Sequence, residues 1–328
     1  MKNIVHRRLE GIEVLTIARP PANALDIETT EELADAFEAL AADDLADDAG
    51  AAAVLTGDGK AFCAGLDLKA IPNYSQTELR RLLDAINRMA TAVYSCPLPV
   101  IGAINGHAIA GGFVLAMCCD WKIVADAPMR VGLTEVRVGV PYPAAALEVV
   151  RSELHPKVAR ELVLFGKNMN AAEALAAGIF DESVAPDLLL VRAMERAREA
   201  AELPRRSFKI IKHQLRRRAL EACRAVVSRE GEPVRDAWIQ PKDARGNLQR
   251  AQSFAWLDKV RSRTPSCGIN FPTVSFFHSG SREGLQKTLS GSNLSYLLNG
   301  TTIAQSIVYI SEGAPGPQPI TCSSRSSP

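Results

Sequence analysis

Residues 104–126, INGHAIAGGFVLAMCCDWKIVAD, followed at 132–143 by GLTEVRVGVPYP, decide how this chain folds. The run VIGAI at 100–104 just before them is apolar without interruption, as a strand covered on both faces requires. It stops at Asn105-Gly106, a turn signal, and the chain then enters an apolar helix through Gly111 and Gly112. Such an entry leaves backbone N–H groups unpaired, and negative charge is favoured there. A carboxylate, Glu135, follows in a largely apolar neighbourhood. Backbone donors and one base suit chemistry that passes through an oxyanion.

Working outward, the alternation from Ile4 to Ile17 around Glu10-Gly11 predicts a hairpin. Pro20-Pro21 breaks the strand, and Asp26 is placed to cap a helix running to about Leu45 with Leu33, Phe37 and Leu40 on one face. Residues 51–57, AAAVLTG, read as a buried strand, and GDGKAFCAGLDL at 57–68 as a glycine-punctuated loop. Ser75 and Glu78 form a capping box before a helix whose buried stripe is Leu79, Leu82, Leu83, Ile86, Met89, Ala90 and Val93. Strands and helices alternate, with glycine-bearing loops after the buried strands, where α/β proteins bind ligands. From 155 to 259 the pattern is mostly helical, with two short helical segments around an Asn170 cap and then a strand-like end. After Arg263 the chain turns rich in Ser, Gly and Thr and poor in charge. Residues 264–328 read as a poorly ordered appendage or an unrelated extension, within which NLSYLLNGTTIAQSIVYI (293–310) offers at most one or two short β segments. The sequons at Asn293 and Asn299 carry little meaning without secretion.

Bulk properties narrow the classes. The chain has 328 residues, long enough for a large domain or two ordinary ones, and its apolar fraction of 47% permits a sizeable core. A net charge of +1 gives no bulk attraction to nucleic acid or to an anionic membrane. The N-terminal residues move straight into a strand pattern without an apolar signal region, and no apolar run is long enough to span a bilayer, so a cytoplasmic location is expected. The seven cysteines include the adjacent Cys118 and Cys119 within an apolar helix. No Cys/His spacing suggests zinc, so reduced, buried thiols are expected. Cys63 lacks a positioned His or Asp partner and is weak as a nucleophile. No dinucleotide fingerprint, P-loop or serine-nucleophile elbow is present, so no metal or redox cofactor is expected.

Four segments in register, RPPANAL (19–25), KAFCAGLDL (60–68), AINGHAIAGGFVLAMCCD (103–120) and GLTEVRVGVPYP (132–143) with an AAEAL…G helix after it, resemble the crotonase (enoyl-CoA hydratase/isomerase) superfamily. The resemblance covers residues 1 to about 262 and implies an α/β fold, a crotonase-type spiral of ββα units with a C-terminal helical region. It divides the chain into a core with the acyl-CoA site at 1–190, a helical part of the same fold at 191–263, and the appendage at 264–328. It implies an acyl-CoA thioester as substrate, with coenzyme A belonging to the substrate and no separate cofactor, and assembly as a homotrimer or dimer of trimers. The thioester oxygen would sit between the N–H groups of Leu66 and Gly111, which stabilise an enolate without reorganising. Asn23, Ala24, Leu25, Ala64, Gly65, Asp67, Gly112, Val114 and Tyr142 would line the substrate.

One departure discriminates between reactions. Hydratases of this type carry two glutamates that share a water; here the first position is Val114 and the second is Glu135. One base suffices to take a proton from C2 of a 3-enoyl thioester and return it at C4. The pattern is therefore closest to the Δ3,Δ2-enoyl-CoA isomerases. A hydratase needing a second polar group, from Tyr142 or His107, is the alternative, and an idle acyl-CoA-binding homologue is a third. An apolar Val114 would raise the pKa of Glu135 by desolvation. His107, Asp67 and Asp120 read as structural, bonding turns and backbone. Lys209, Lys212 and His213 form a basic helix segment, for which a solvated basic face is the more frequent explanation; relatives place basic residues hereabouts near the nucleotide phosphates.

Overall fold

The computed structural model describes residues 1–42 and 50–228, residues 234, 236 and 238, and short strands at 274–276, 288–289 and 308–310. The chain divides into two compact units, Met1–Leu257 and Asp258–Pro328. In the first, β1 (Ile4–Leu9) and β2 (Ile12–Ile17) pair antiparallel across Glu10 and Gly11, whose φ values of 52° and 78° give the left-handed turn that matches strand twist. Asp26 accepts from the N–H of Thr29 (2.8 Å) as α1 (Ile27–Ala42) begins, and Leu33, Phe37 and Leu40 are buried. The end expected near Leu45 lies outside the described residues.

Next come β3 (Ala52–Gly57), β4 (Ala61–Cys63) and α2 (Gln76–Ser95), then β5 (Val100–Ile104), β6 (His107–Ile109) and α3 (Gly111–Cys118), then β7 (Trp121–Ala125), β8 (Val131–Gly132) and α4 (Glu135–Val138). The Ser75–Glu78 capping box is present at the start of α2, with both reciprocal bonds formed. Each ββα unit sends its first strand to one sheet and its second to another. The large sheet has the order β1-β2-β3-β5-β7-β10, parallel from β2 onward, and is completed by β10 (Glu182–Val184). The small sheet has the order β4-β6-β8-β9, its first three strands parallel and β9 (Asn168–Met169) antiparallel. This is the expected spiral. The loop expected at 57–68 contains a short strand, β4, and another, β6, lies between the Asn105-Gly106 turn and the helix entry at Gly111.

Helices α5 (Ala144–Glu153), α6 (Pro156–Ala159) and α7 (Ala171–Ala176) follow, the last opened by an Asn170–Glu173 capping box. Then come α8 (Leu189–Ala201) and α9 (Arg205–Ser228). Buried charges fasten α9 to the core. Lys212 Nζ donates to the Leu98 carbonyl (3.0 Å) and to Asp120 (2.6 Å), and Arg216 lies over the Tyr94 ring at 4.0 Å. Five of the seven cysteines lie among the described residues; all five are free and buried. Among the described residues no helix is long and apolar enough to cross a membrane, and none of the His, Cys, Asp and Glu residues form a metal-holding group.

In the second unit, β11 (Val274–Phe276) pairs antiparallel with β12 (Thr288–Leu289) and with β13 (Val308–Ile310). Of 264–328, where poor order is expected, these three short strands are described; the remaining residues, with the sequons at Asn293 and Asn299, lie outside the described ones.

Candidate functional site

Three parallel neighbours, β4, β6 and β8, end side by side, and each hands the chain to one predicted group. After β4 come Ala64, Gly65 and Leu66; after β6, Ala110 and Gly111; after β8, Leu133, Thr134 and Glu135. Loops beyond the carboxyl ends of parallel strands are where an α/β scaffold can bring residues remote in sequence to one point.

The first loop is held by Leu25. Its N–H donates to the Gly65 carbonyl (2.7 Å) and its carbonyl accepts from the N–H of Asp67 (2.9 Å), forming a parallel bridge opposite Leu66. In such a bridge the residue opposite turns its own amide to the other side, so the Leu66 N–H is left free of this pairing. Gly65 has φ +78°, and a Cβ there would lie 2.7 Å from the Ile109 carbonyl oxygen and 3.2 Å from the Gly111 nitrogen. Only glycine lets the two loops touch at this point. Gly112 is pressed onto the Cys63 carbonyl, again without room for a side chain.

The second expected donor, the Gly111 N–H, stands at the start of α3. Ala110, its N-cap, has φ 52° and ψ −120°, a conformation costing an alanine about 1–3 kcal/mol. Its N–H is tied to the Gly132 carbonyl (2.9 Å) and its carbonyl to the Val114 N–H (3.0 Å), which hold it there. The Gly111 N–H belongs to the uncapped first turn of α3, where the helix favours negative charge. Val114, a turn later, is buried in the main core.

Glu135 opens the short helix α4, and its backbone carbonyl takes the N–H of Val140 (3.1 Å). Its carboxyl is buried. Desolvation lifts its pKa from 4.5 to about 7, against the opposing pull of the backbone N–H groups of Glu135 and Thr134 and of the Tyr142 hydroxyl. Oε2 of Glu135 and the Tyr142 hydroxyl both lack a partner at hydrogen-bonding geometry among the described residues, although they stand close enough to perturb one another. A buried carboxyl lifted to about 7, with one oxygen lacking a partner, can both take up and release a proton.

The remaining predicted residues sort by contact. Asn23 (φ 55°) is 1% exposed, and its amide donates to the carbonyls of Asp58 (2.9 Å) and Ala61 (2.7 Å), so its side chain is an internal staple. The Ala24 carbonyl accepts from Arg19 (3.1 Å), and the Ala64 N–H donates to the Ala22 carbonyl (3.0 Å). Asp67 accepts from the N–H groups of Lys69 (3.0 Å) and Ala70 (3.3 Å), and Asp120 from that of Val100 (2.7 Å), the structural roles expected. His107 Nδ1 accepts from the Arg130 N–H (3.0 Å), which is also structural. The Cys63 thiol is pushed up to about 12 by burial, too high for a resting thiolate. Lys212 is a correction. It is 7% exposed and spent on Asp120 and Leu98, so it cannot reach a phosphate, whereas Lys209 and His213 on the same helix are exposed.

Two contributors have no role assigned by the motifs. Arg19 looks like a strand end before Pro20-Pro21, yet it pairs with both Asp26 (3.0 Å) and Asp67 (2.7 Å). Trp238 is buried in a second apolar cluster with Ile27, Ile71, Leu82, Leu83 and Ile86, against which Leu66 and Val140 pack, and its indole N–H donates to the Pro141 carbonyl (2.9 Å).

A family model described as enoyl-CoA hydratase/isomerase matches residues 7–244. Among curated proteins, a Mycobacterium avium chain named as a probable enoyl-CoA hydratase is 35% identical over 203 residues, 60% of this chain and 75% of its own. Among solved structures, an Mtb enoyl-CoA isomerase superposes with TM-score 0.62 at 32% identity, covering 69% of this chain and 97% of that one. The human mitochondrial Δ3-Δ2-enoyl-CoA isomerase shares the fold, with TM-score 0.66 at 23% identity over 80% of this chain and 100% of that one.

Proposed function

The chain belongs to the enoyl-CoA hydratase/isomerase family, and within it we propose that this enzyme shifts the double bond of a 3-enoyl-CoA into conjugation, with Glu135 as the sole proton carrier. The observation that carries the reading is the single buried carboxyl at the end of β8, raised to about 7, with Val114 where a second carboxylate would be needed. The thioester oxygen would accept from the N–H groups of Leu66 and Gly111. Glu135 would remove a proton from C2, the charge would spread onto oxygen as a dienolate, and the same carboxylic acid would return the proton at C4. Each donor aimed at the developing oxyanion contributes on the order of 10²–10³ in rate. Coenzyme A enters as part of the substrate, and Asn23, Ala24 and Leu25 form the loop proposed to run along it.

A hydratase reading is favoured by the name of the Mycobacterium avium relative and by one feature of the site. The Tyr142 hydroxyl is buried without a partner beside Glu135 and could hold the second end of a water. The test compares matched thioesters. Appearance of the conjugated 2-enoyl chromophore from a 3-enoyl-CoA should dominate and vanish in Glu135→Gln. Dominant loss of that chromophore by hydration, abolished by Tyr142→Phe, would overturn the isomerase in favour of the hydratase.

A further inference from the structure

Arg19 has no place in the chemistry above, yet it is the centre of the polar contacts around the first oxyanion loop. Its guanidinium donates to Asp67 (2.7 Å) and to the Ala24 carbonyl (3.1 Å) and forms an ion pair with Asp26 (3.0 Å). Its own backbone closes the turn before that loop, its N–H donating to Asn23 Oδ1 (3.0 Å) and its carbonyl accepting from the Asn23 N–H (2.8 Å). Arg19, Asp26 and Asp67 have side-chain exposures of 23%, 18% and 16%, so the cluster is mostly withdrawn from water. Asp67 is the residue directly after Leu66, and its other oxygen gathers the N–H groups of Lys69 and Ala70. Burial opposes ionisation of Asp67, but Arg19 and those amides hold it below the usual carboxylate range.

Resting on the reading of Leu66 as an oxyanion donor, we infer that Arg19 is a positioning residue that aims the Leu66 N–H and neutralises the carboxylates of Asp26 and Asp67 beside the developing enolate. The geometry has two consequences. A forked cation reaching three acceptors ties the 19–26 turn to the 64–70 loop, and a point charge cannot span that set. Without the cation, the carboxylate of Asp67, directly after Leu66, and that of Asp26 would be left uncompensated, and negative charge near the Leu66 N–H opposes formation of an enolate.

The test uses butyryl-CoA carrying ¹³C at the thioester carbon, a saturated ligand that does not turn over, and reads its carbonyl stretch by isotope-edited infrared difference on the full chain. Bound to the native protein, the band should move to lower frequency than in free ligand. Arg19→Gln should return the band most of the way to the free position and lower kcat about tenfold, with the Kd for butyryl-CoA changed less than about threefold. Arg19→Lys, which retains charge and is the milder change if the glutamine variant does not fold, should give an intermediate band. A band at the native position in the folded variants would overturn the role of Arg19. A native band unshifted from free ligand would instead overturn the oxyanion-hole reading on which the inference rests.

Discussion

Strands β2, β3, β5 and β7 of the large sheet are five or six residues long and almost wholly buried, whereas the four strands of the small sheet are two or three residues long. The large sheet carries the stability: Leu15, Val54, Leu55, Val100, Ile104 and Val124 lie at or below 1% exposure in one continuous core. The small sheet adds little apolar area but sets where three chain segments end relative to each other. The scaffold and the site thus belong to different sheets fed by the same ββα units. Damage to one should be separable from damage to the other.

The sharpest way to break that separation is at the proposed proton carrier. Glu135→Gln should cost about 10²–10⁴ in kcat while the protein stays folded, because general acid–base catalysis supplies that much. Steady-state rates with circular dichroism on the same samples check it. Gly65→Val should come next, losing about 10²–10³ in kcat as the Leu66 and Gly111 segments are forced apart, with a lower Tm besides. A large-sheet substitution should do the reverse. Leu55→Ala should destabilise the fold by about 2–5 kcal/mol in denaturant melts, while kcat of the protein remaining folded is unchanged.

A subtler effect concerns pH. The folded-state pKa of Glu135 lies above its value in an unfolded chain, so its contribution to stability is fully present below about 4.5 and is lost as pH rises through about 7. The 2.5-unit difference between 4.5 and about 7 corresponds to roughly 3 kcal/mol at most. Glu135→Gln should therefore gain stability over the native protein at pH 8 and little at pH 4. In the same range kcat/KM of the native enzyme should rise with pH through about 7, because the free enzyme must present the carboxylate.

The two sheets also differ in how far they can be read from the chain. A run such as VIGAI or AAVLTG declares a buried parallel strand by continuous hydrophobicity, and Ser75, Asp26 and Asn170 declare helix starts by their hydrogen-bonding chemistry. Strands of two or three residues have no measurable periodicity. His107–Ile109 therefore reads as a turn until its neighbours β4 and β8 are in place. Glu135, Gly65 and Gly111 are legible because they sit in motifs, and the elevated pKa of Glu135 follows from its apolar surroundings. Arg19 is illegible for a physical reason. Its partners Asp26 and Asp67 lie 7 and 48 residues away, and only the fold brings them together. Lys212 fails the other way, since a basic stretch on a helix does not reveal which cation turns inward onto Asp120.

The central claim is that the three strand ends of the small sheet assemble one base and two amides for removing a proton next to a thioester. It is tested most directly by following exchange of the C2 protons of a 3-enoyl-CoA in D₂O by NMR, for the native enzyme, Glu135→Gln and Leu55→Ala. The account predicts exchange in the native enzyme and in folded Leu55→Ala, and none above background in Glu135→Gln. Exchange persisting at the native rate in Glu135→Gln would contradict it.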